Sequence, residues 1–85
     1  MNTKFVDRHG IAIRKGDTVK LVDMPLELLL GRTEHEQNTL RAEIGNMHLI
    51  QSSDQHGKIK LEFYDAKGIP YTILISPACV TRIPG

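Results

Sequence analysis

Apolar and polar residues alternate most strictly between Lys58 and Ser76, and this stretch predicts a β-hairpin. Ile59, Leu61 and Phe63 alternate with Lys60, Glu62 and Tyr64, and Tyr71, Ile73 and Ile75 repeat the period of two that a half-buried strand requires. Between the runs, Asp65-Ala66-Lys67-Gly68 places Asp first and Gly fourth, the pattern of a type I turn followed by a left-handed glycine. Such a turn pairs Asp65 with Ile69 and so sets Phe63 opposite Tyr71, Leu61 opposite Ile73 and Ile59 opposite Ile75. All six side chains then share one face, whereas a slip of one residue scatters them.

The same spacing recurs twice. Asp7-Arg8-His9-Gly10 sets Phe5 opposite Ile13 in a short opening hairpin. After the polar turn Arg14-Lys15-Gly16-Asp17 comes the first long strand, Thr18 to Val22, with Val19 and Leu21 facing inward; Met24-Pro25 ends it, since proline has no N–H for a ladder. A third turn, Asp54-Gln55-His56-Gly57, follows the extended run Met47 to Ser53. Its register pairs Leu49 with Phe63 and Gln51 with Leu61, and leaves Ile50 on the wet face beside Glu62, against its apolar character. Ser76 to Val80, interrupted by Pro77, suits a single 3₁₀ turn. Thr81-Arg82-Ile83 makes a last short strand, and Pro84-Gly85 is the tail.

Pro25 to Gly45 breaks the two-residue rhythm. Thr33 is a helix N-cap with Glu36 three residues on, a capping box; Glu34 sits in the first turn, Arg41 near the end and Gly45 at the stop. The apolar stripe is thin, with only Leu40 and Ile44 four apart, so the helix must lean on the sheet. Leu26, Leu28, Leu29 and Leu30 just before it form an irregular or short helical plug.

The 85 residues make one domain, with an apolar share of 40% and a charged share of 25% that belong to an ordinary globular chain. The longest apolar cluster, Leu28 to Leu30, is far too short to cross a bilayer, and the first residues lack the apolar run of a secretory leader. No membrane association and a cytoplasmic location are expected. The lone Cys79 forms no internal disulfide, which suits a reducing compartment. A net charge of +1 offers no global attraction to nucleic acid or anionic lipid. Met1 to Val22 carries +3, Asp23 to Ser53 carries −3 and the remainder +1. Such a split can give a basic and an acidic side, and solvated surface charges produce the same totals.

The order of elements resembles a small SH3-like barrel. Gly16-Asp17-Thr18-Val19-Lys20-Leu21 is similar to the opening strand of KOW and Tudor-type barrels, and Ile75 to Ile83 resembles the strand, 3₁₀ turn and strand that close them. The resemblance implies a mainly β, five-stranded SH3-like barrel over residues 1–85, with one helix inserted after the first long strand, in a helical insert 25–45. That insert falls where the long first loop of an SH3 domain lines its ligand groove, so fold alone carries no function across.

Candidate chemistry narrows by elimination. Polyproline recognition needs a Trp and Tyr groove, and the chain has no Trp. An aromatic cage for methylated cations fails because Phe5, Phe63, Tyr64 and Tyr71 are the whole aromatic supply and at least two belong in the core. His9, His35, His48 and His56 show no ligand spacing, so neither metal nor cofactor is expected. Cys79 between Ala78 and Val80 reads as an inert buried thiol, Ser52, Ser53 and Ser76 lack a nucleophile motif, and an enzyme is not expected. Two readings are left. In the first, another protein is the partner, bound by Leu26, Leu28, Leu29 and Leu30 with Glu34 and Arg41, although the same leucines can instead cap the core. In the alternative, RNA or DNA is bound by a basic strand face of Arg14, Lys15, Lys20, Lys58 and Lys60 with Tyr64 as a stacking ring.

Overall fold

The computed structural model describes residues 5–54 and 56–84. Gln55 of the third Asp-x-x-Gly turn and Gly85 of the tail therefore lie outside the described residues. The elements run β1 (Phe5–Val6), β2 (Ala12–Ile13), β3 (Thr18–Leu21), α1 (Leu26–Leu29), α2 (Glu34–Arg41), β4 (Met47–Leu49), β5 (Ser52–Ser53), β6 (Ile59–Tyr64), β7 (Pro70–Ile75), a 3₁₀ turn at Pro77–Cys79 and β8 (Val80–Arg82).

The central hairpin forms in the register that its turn dictates. β6 and β7 pair Ile59 with Ile75, Leu61 with Ile73 and Phe63 with Tyr71. The Asp65 N–H donates to Ile69 O, the Gly68 N–H donates back to Asp65 O, and Gly68 takes the left-handed φ of 79° that a Cβ would disfavour. Five of the six inward side chains are buried and Tyr71 packs against them, its ring stacked on Phe63 at 5.4 Å. The core is completed by Val19 and Leu21 of β3, Leu29 of α1, Leu40 of α2, Ile50 and Val80. At roughly 1.5–3 kcal/mol per buried side chain, the inward face of the hairpin alone is worth on the order of 10 kcal/mol, about the net stability of a small domain.

The opening hairpin also follows its turn rule, with Phe5 opposite Ile13. The Asp7 Oδ1 accepts the N–H groups of His9 and Ile11 at 2.8 and 2.9 Å, and its Oδ2 accepts the Arg82 N–H at 2.7 Å. One buried carboxylate thus closes a turn and ties it to β8. The Arg8 N–H donates to Val80 O beside it, so the opening hairpin covers the outer edge of β8. Burial pushes the Asp7 carboxyl up, but the Arg82, Ile11 and His9 N–H groups and the nearby His9 outweigh it and hold it below the ordinary value.

Two expectations are corrected. The strands do not close into one five-stranded SH3-like barrel: they form three small sheets, β1–β2, β4–β3–β8 and β5–β6–β7, none closed into a barrel. The domain remains mainly β. The reason is a break at Ile50 and Gln51. Ile50 exchanges backbone bonds with the β3 side, donating to Asp17 O and accepting from Gly16 N–H, whereas the Gln51 N–H donates to Lys60 O of β6. The run Met47 to Ser53 therefore changes partner midway and shifts phase by one residue. This is also why Leu49 does not pair with Phe63: it pairs with Thr18 and is exposed, and Ile50 takes the buried position.

Asp54 closes its turn as Asp7 does, its Oδ1 accepting the N–H groups of His56 and Lys58, but it is half-buried and holds two N–H groups where Asp7 holds three. Replacing Asp7 by Ala strands three N–H groups in a partly buried place and is predicted to cost about 2–3 kcal/mol of unfolding free energy, against about 1 kcal/mol for Asp54→Ala. Urea denaturation of the two variants measures the difference. With its folded pKa below the unfolded one, Asp7's contribution is present above about pH 4 and is lost as pH falls through the folded value, a loss that Asp7→Asn removes.

Candidate functional site

The leucine-rich insert is held in place by its carbonyl ends. α1 is a single turn, capped by the Leu30 N–H on Leu26 O, and a four-residue helix has no stability of its own. Arg32 Nε donates to Leu28 O at 2.7 Å, and Gln37 Nε2 of α2 donates to both Leu29 O and Arg32 O at 3.1 Å. These bonds satisfy carbonyls that the short helix leaves free and fasten it to α2. α2 begins as its capping box requires: the Glu36 N–H donates to Thr33 Oγ1 and the Thr33 N–H to Glu36 Oε1. It ends at Arg41 with Leu40 fully buried, and Ile44 lies beyond it, exposed.

The leucines thereby divide into two sets. Leu29 is in the core and Leu28 packs against it, whereas Leu26 and Leu30, four residues apart, are each 68% exposed. Glu34 and Arg41 are exposed on α2. The sequence treated the cluster as one unit, either patch or cap. It is both, and the division follows from which leucines reach the core.

A shallow cleft of about 360 Å³ opens between α2 and the β6–β7 turn, lined by His35, Asn38, Thr39 and Glu43 on one side and by Asp65 and Lys67 on the other. The Asp65 side chain is only 4% exposed. Its Oδ1 accepts the Lys67 and Ile69 N–H groups at 2.8 and 2.9 Å, the same bonds that Asp7 makes in its turn. Its Oδ2, which in Asp7 holds the Arg82 N–H, has no hydrogen-bond partner; His35 Nε2 stands 4.0 Å away, too far for a bond. The sequence pattern assigns Asp65 to a turn and gives His35 no ligand spacing. The repeat of Asp-x-x-Gly was the available signal, but it reports Oδ1 only.

No protein-family model, curated protein or solved structure matches the chain.

The basic residues of the nucleic-acid reading are spread over separate elements. Arg14 and Lys15 lie in the β2–β3 turn and Lys20 on the outer face of β3, while Lys60 and Tyr64 lie on the outer face of β6 with Glu62 between them. Lys58 Nζ sits 3.4 Å from Glu27 Oε1. Among the described residues no three His, Cys, Asp or Glu side chains converge as metal ligands, and no helix is long and apolar enough to cross a membrane. Cys79 is buried, and burial followed by the charge of Asp23 pushes its thiol up, away from the thiolate a nucleophile needs.

His48 is the one buried imidazole. It sits on β4 against Phe63, with ring centroids 5.7 Å apart, and its Nε2 is 3.2 Å from Glu43 Oε1 but off the line of a hydrogen bond. Burial pulls its pKa below the ordinary 6.5, and the Glu43 carboxylate offsets this only in part. The folded state thus prefers neutral His48, so the unfolded chain binds the proton first as pH drops. Stability should fall as pH is lowered below about 6.5, by no more than about 1.4 kcal/mol per pH unit from this group. Melting temperatures of the wild type and His48→Gln between pH 7.5 and 5.5, on the order of two pH units, test this: the variant should show the shallower slope.

Proposed function

We propose that this protein is a cytoplasmic interaction module without enzymatic activity, binding another protein through Leu26 and Leu30, with Glu34 and Arg41 of α2 as the polar flank. The supporting observation is the division of the leucines. A turn of helix that needed only to fill the core would have no use for two leucines outside it, and exposed Leu pairs of i, i+4 spacing suit an apolar groove on a partner. The display is rigid: Leu28 and Leu29 anchor one side, and Arg32 and Gln37 hold the carbonyls of the same segment. Binding then loses little conformational entropy, which favours affinity from a small contact.

The test separates binding from folding. Leu26→Ser/Leu30→Ser removes the exposed pair and should leave the melting temperature within a few degrees of wild type, since exposed substitutions usually change stability by no more than about 0.5 kcal/mol. Leu29→Ser should destabilise by roughly 3 kcal/mol or more, as a cavity and a buried hydroxyl are both created. A partner captured by the wild type from its native cytoplasm should be lost by the double variant. Equal capture by a folded double variant would contradict the proposal.

A further inference from the structure

Among the described residues, β7 is an edge strand with no partner on its outer side. In the sheet β5–β6–β7 it pairs only with β6, and no backbone bond among the described residues reaches its other side. The direction of its free groups follows from the register. The Asp65 N–H bonds Ile69 O, so the pairs Phe63 with Tyr71, Leu61 with Ile73 and Ile59 with Ile75 exchange the ladder bonds, and the intervening residues point their N–H and C=O groups away. Lys60 shows this on the partner strand, its O accepting from Gln51 on the β5 side. On β7 the outward groups are therefore Pro70 C=O and the N–H and C=O of Thr72 and Leu74. Thr72 and Leu74 are exposed, and the run Pro70 to Ser76 contains no charged residue, although charges are the usual protection of such an edge.

We propose that a second copy of this chain occupies that edge, with β7 pairing antiparallel to β7 across a two-fold axis at Ile73. In this register Thr72 of each chain faces Leu74 of the other, and both residues exchange N–H···O=C bonds, four in all. The same register sets Pro70 opposite Ser76. Pro70 has no N–H to give, and Ser76 O needs none because it already accepts the Cys79 N–H at 3.0 Å. A register with Thr72 facing its own copy instead sets Pro70 against Leu74 and leaves both Leu74 carbonyls without a donor. Of these two registers, the one centred on Ile73 leaves fewer carbonyls unpaired. Thr72 covers the half-exposed Leu74 on the outer face, and no like charges meet along the run. Two three-stranded sheets become one of six strands, and this edge is then used up, because the isologous pairing takes the β7 edge of both copies. A contact of one strand is small, so the dimer forms in the micromolar to submillimolar range.

Sedimentation equilibrium of the full chain from about 10 μM to about 1 mM should show a reversible monomer to dimer shift. Over the same range, exchange of the Thr72 and Leu74 amides should slow with concentration, while Leu61, Phe63, Tyr71 and Ile73 are protected throughout. Thr72→Pro removes an N–H that bonds nothing among the described residues and should give a folded monomer. A monomer at about 1 mM, a dimer that survives in folded Thr72→Pro, or a dimer whose Thr72 and Leu74 amides exchange as fast as in the monomer would each overturn the proposal. Should Thr72→Pro fail to fold, the amide measurement on the wild type decides alone.

Discussion

The structure depends on the phase of one ribbon. Asp65 and Gly68 fix how β6 and β7 meet, and that meeting sends Ile59, Leu61, Phe63, Ile73 and Ile75 into the core together. A domain of this length has one core and little surplus, so a slip of one residue costs about as much as the whole fold is worth. The other elements are placed relative to that face: Leu29 and Leu40 lay the two helices on it, and Val19, Leu21 and Val80 lay the second sheet against it.

Three turns built on the same four-residue pattern show how one local rule yields different consequences. In each, an Asp Oδ1 closes the turn by accepting two N–H groups. The tertiary setting decides the rest. Asp7 spends its second oxygen on β8, which ties the chain's opening hairpin to its closing strand. Asp65, whose side chain is also enclosed, aims its second oxygen toward His35 and finds no donor among the described residues.

What was legible in the sequence was local. Both complete hairpin registers, the Thr33 to Glu36 capping box and the 3₁₀ turn at Pro77 follow from residues close together in the chain, whereas the leucines were left as either an irregular or a short helical plug and form a helical turn. What was not legible depends on choices between distant partners. A closed barrel was inferred from strand order, yet order does not reveal that the run Met47 to Ser53 breaks at Ile50 and divides between two sheets. The conflict at Ile50 was visible as an apolar residue in a polar phase, and the break resolves it. Nor could spacing separate Leu29 from Leu26 and Leu30, because an isolated helical turn has no face until something packs on it. The open side of β7 is a property of the sheet, and Pro70, as the first residue of its strand, fits an edge without requiring one.

The functional readings share this frame, since the exposed leucines and the open strand edge are both held in position by the ribbon. Cross-strand Hα–Hα contacts measured by NMR test it most directly, because they are strongest between residues facing each other without ladder bonds. The account predicts them for Lys60 with Leu74, Glu62 with Thr72 and Tyr64 with Pro70. Contacts shifted by one residue, such as Glu62 with Ile73, would contradict it.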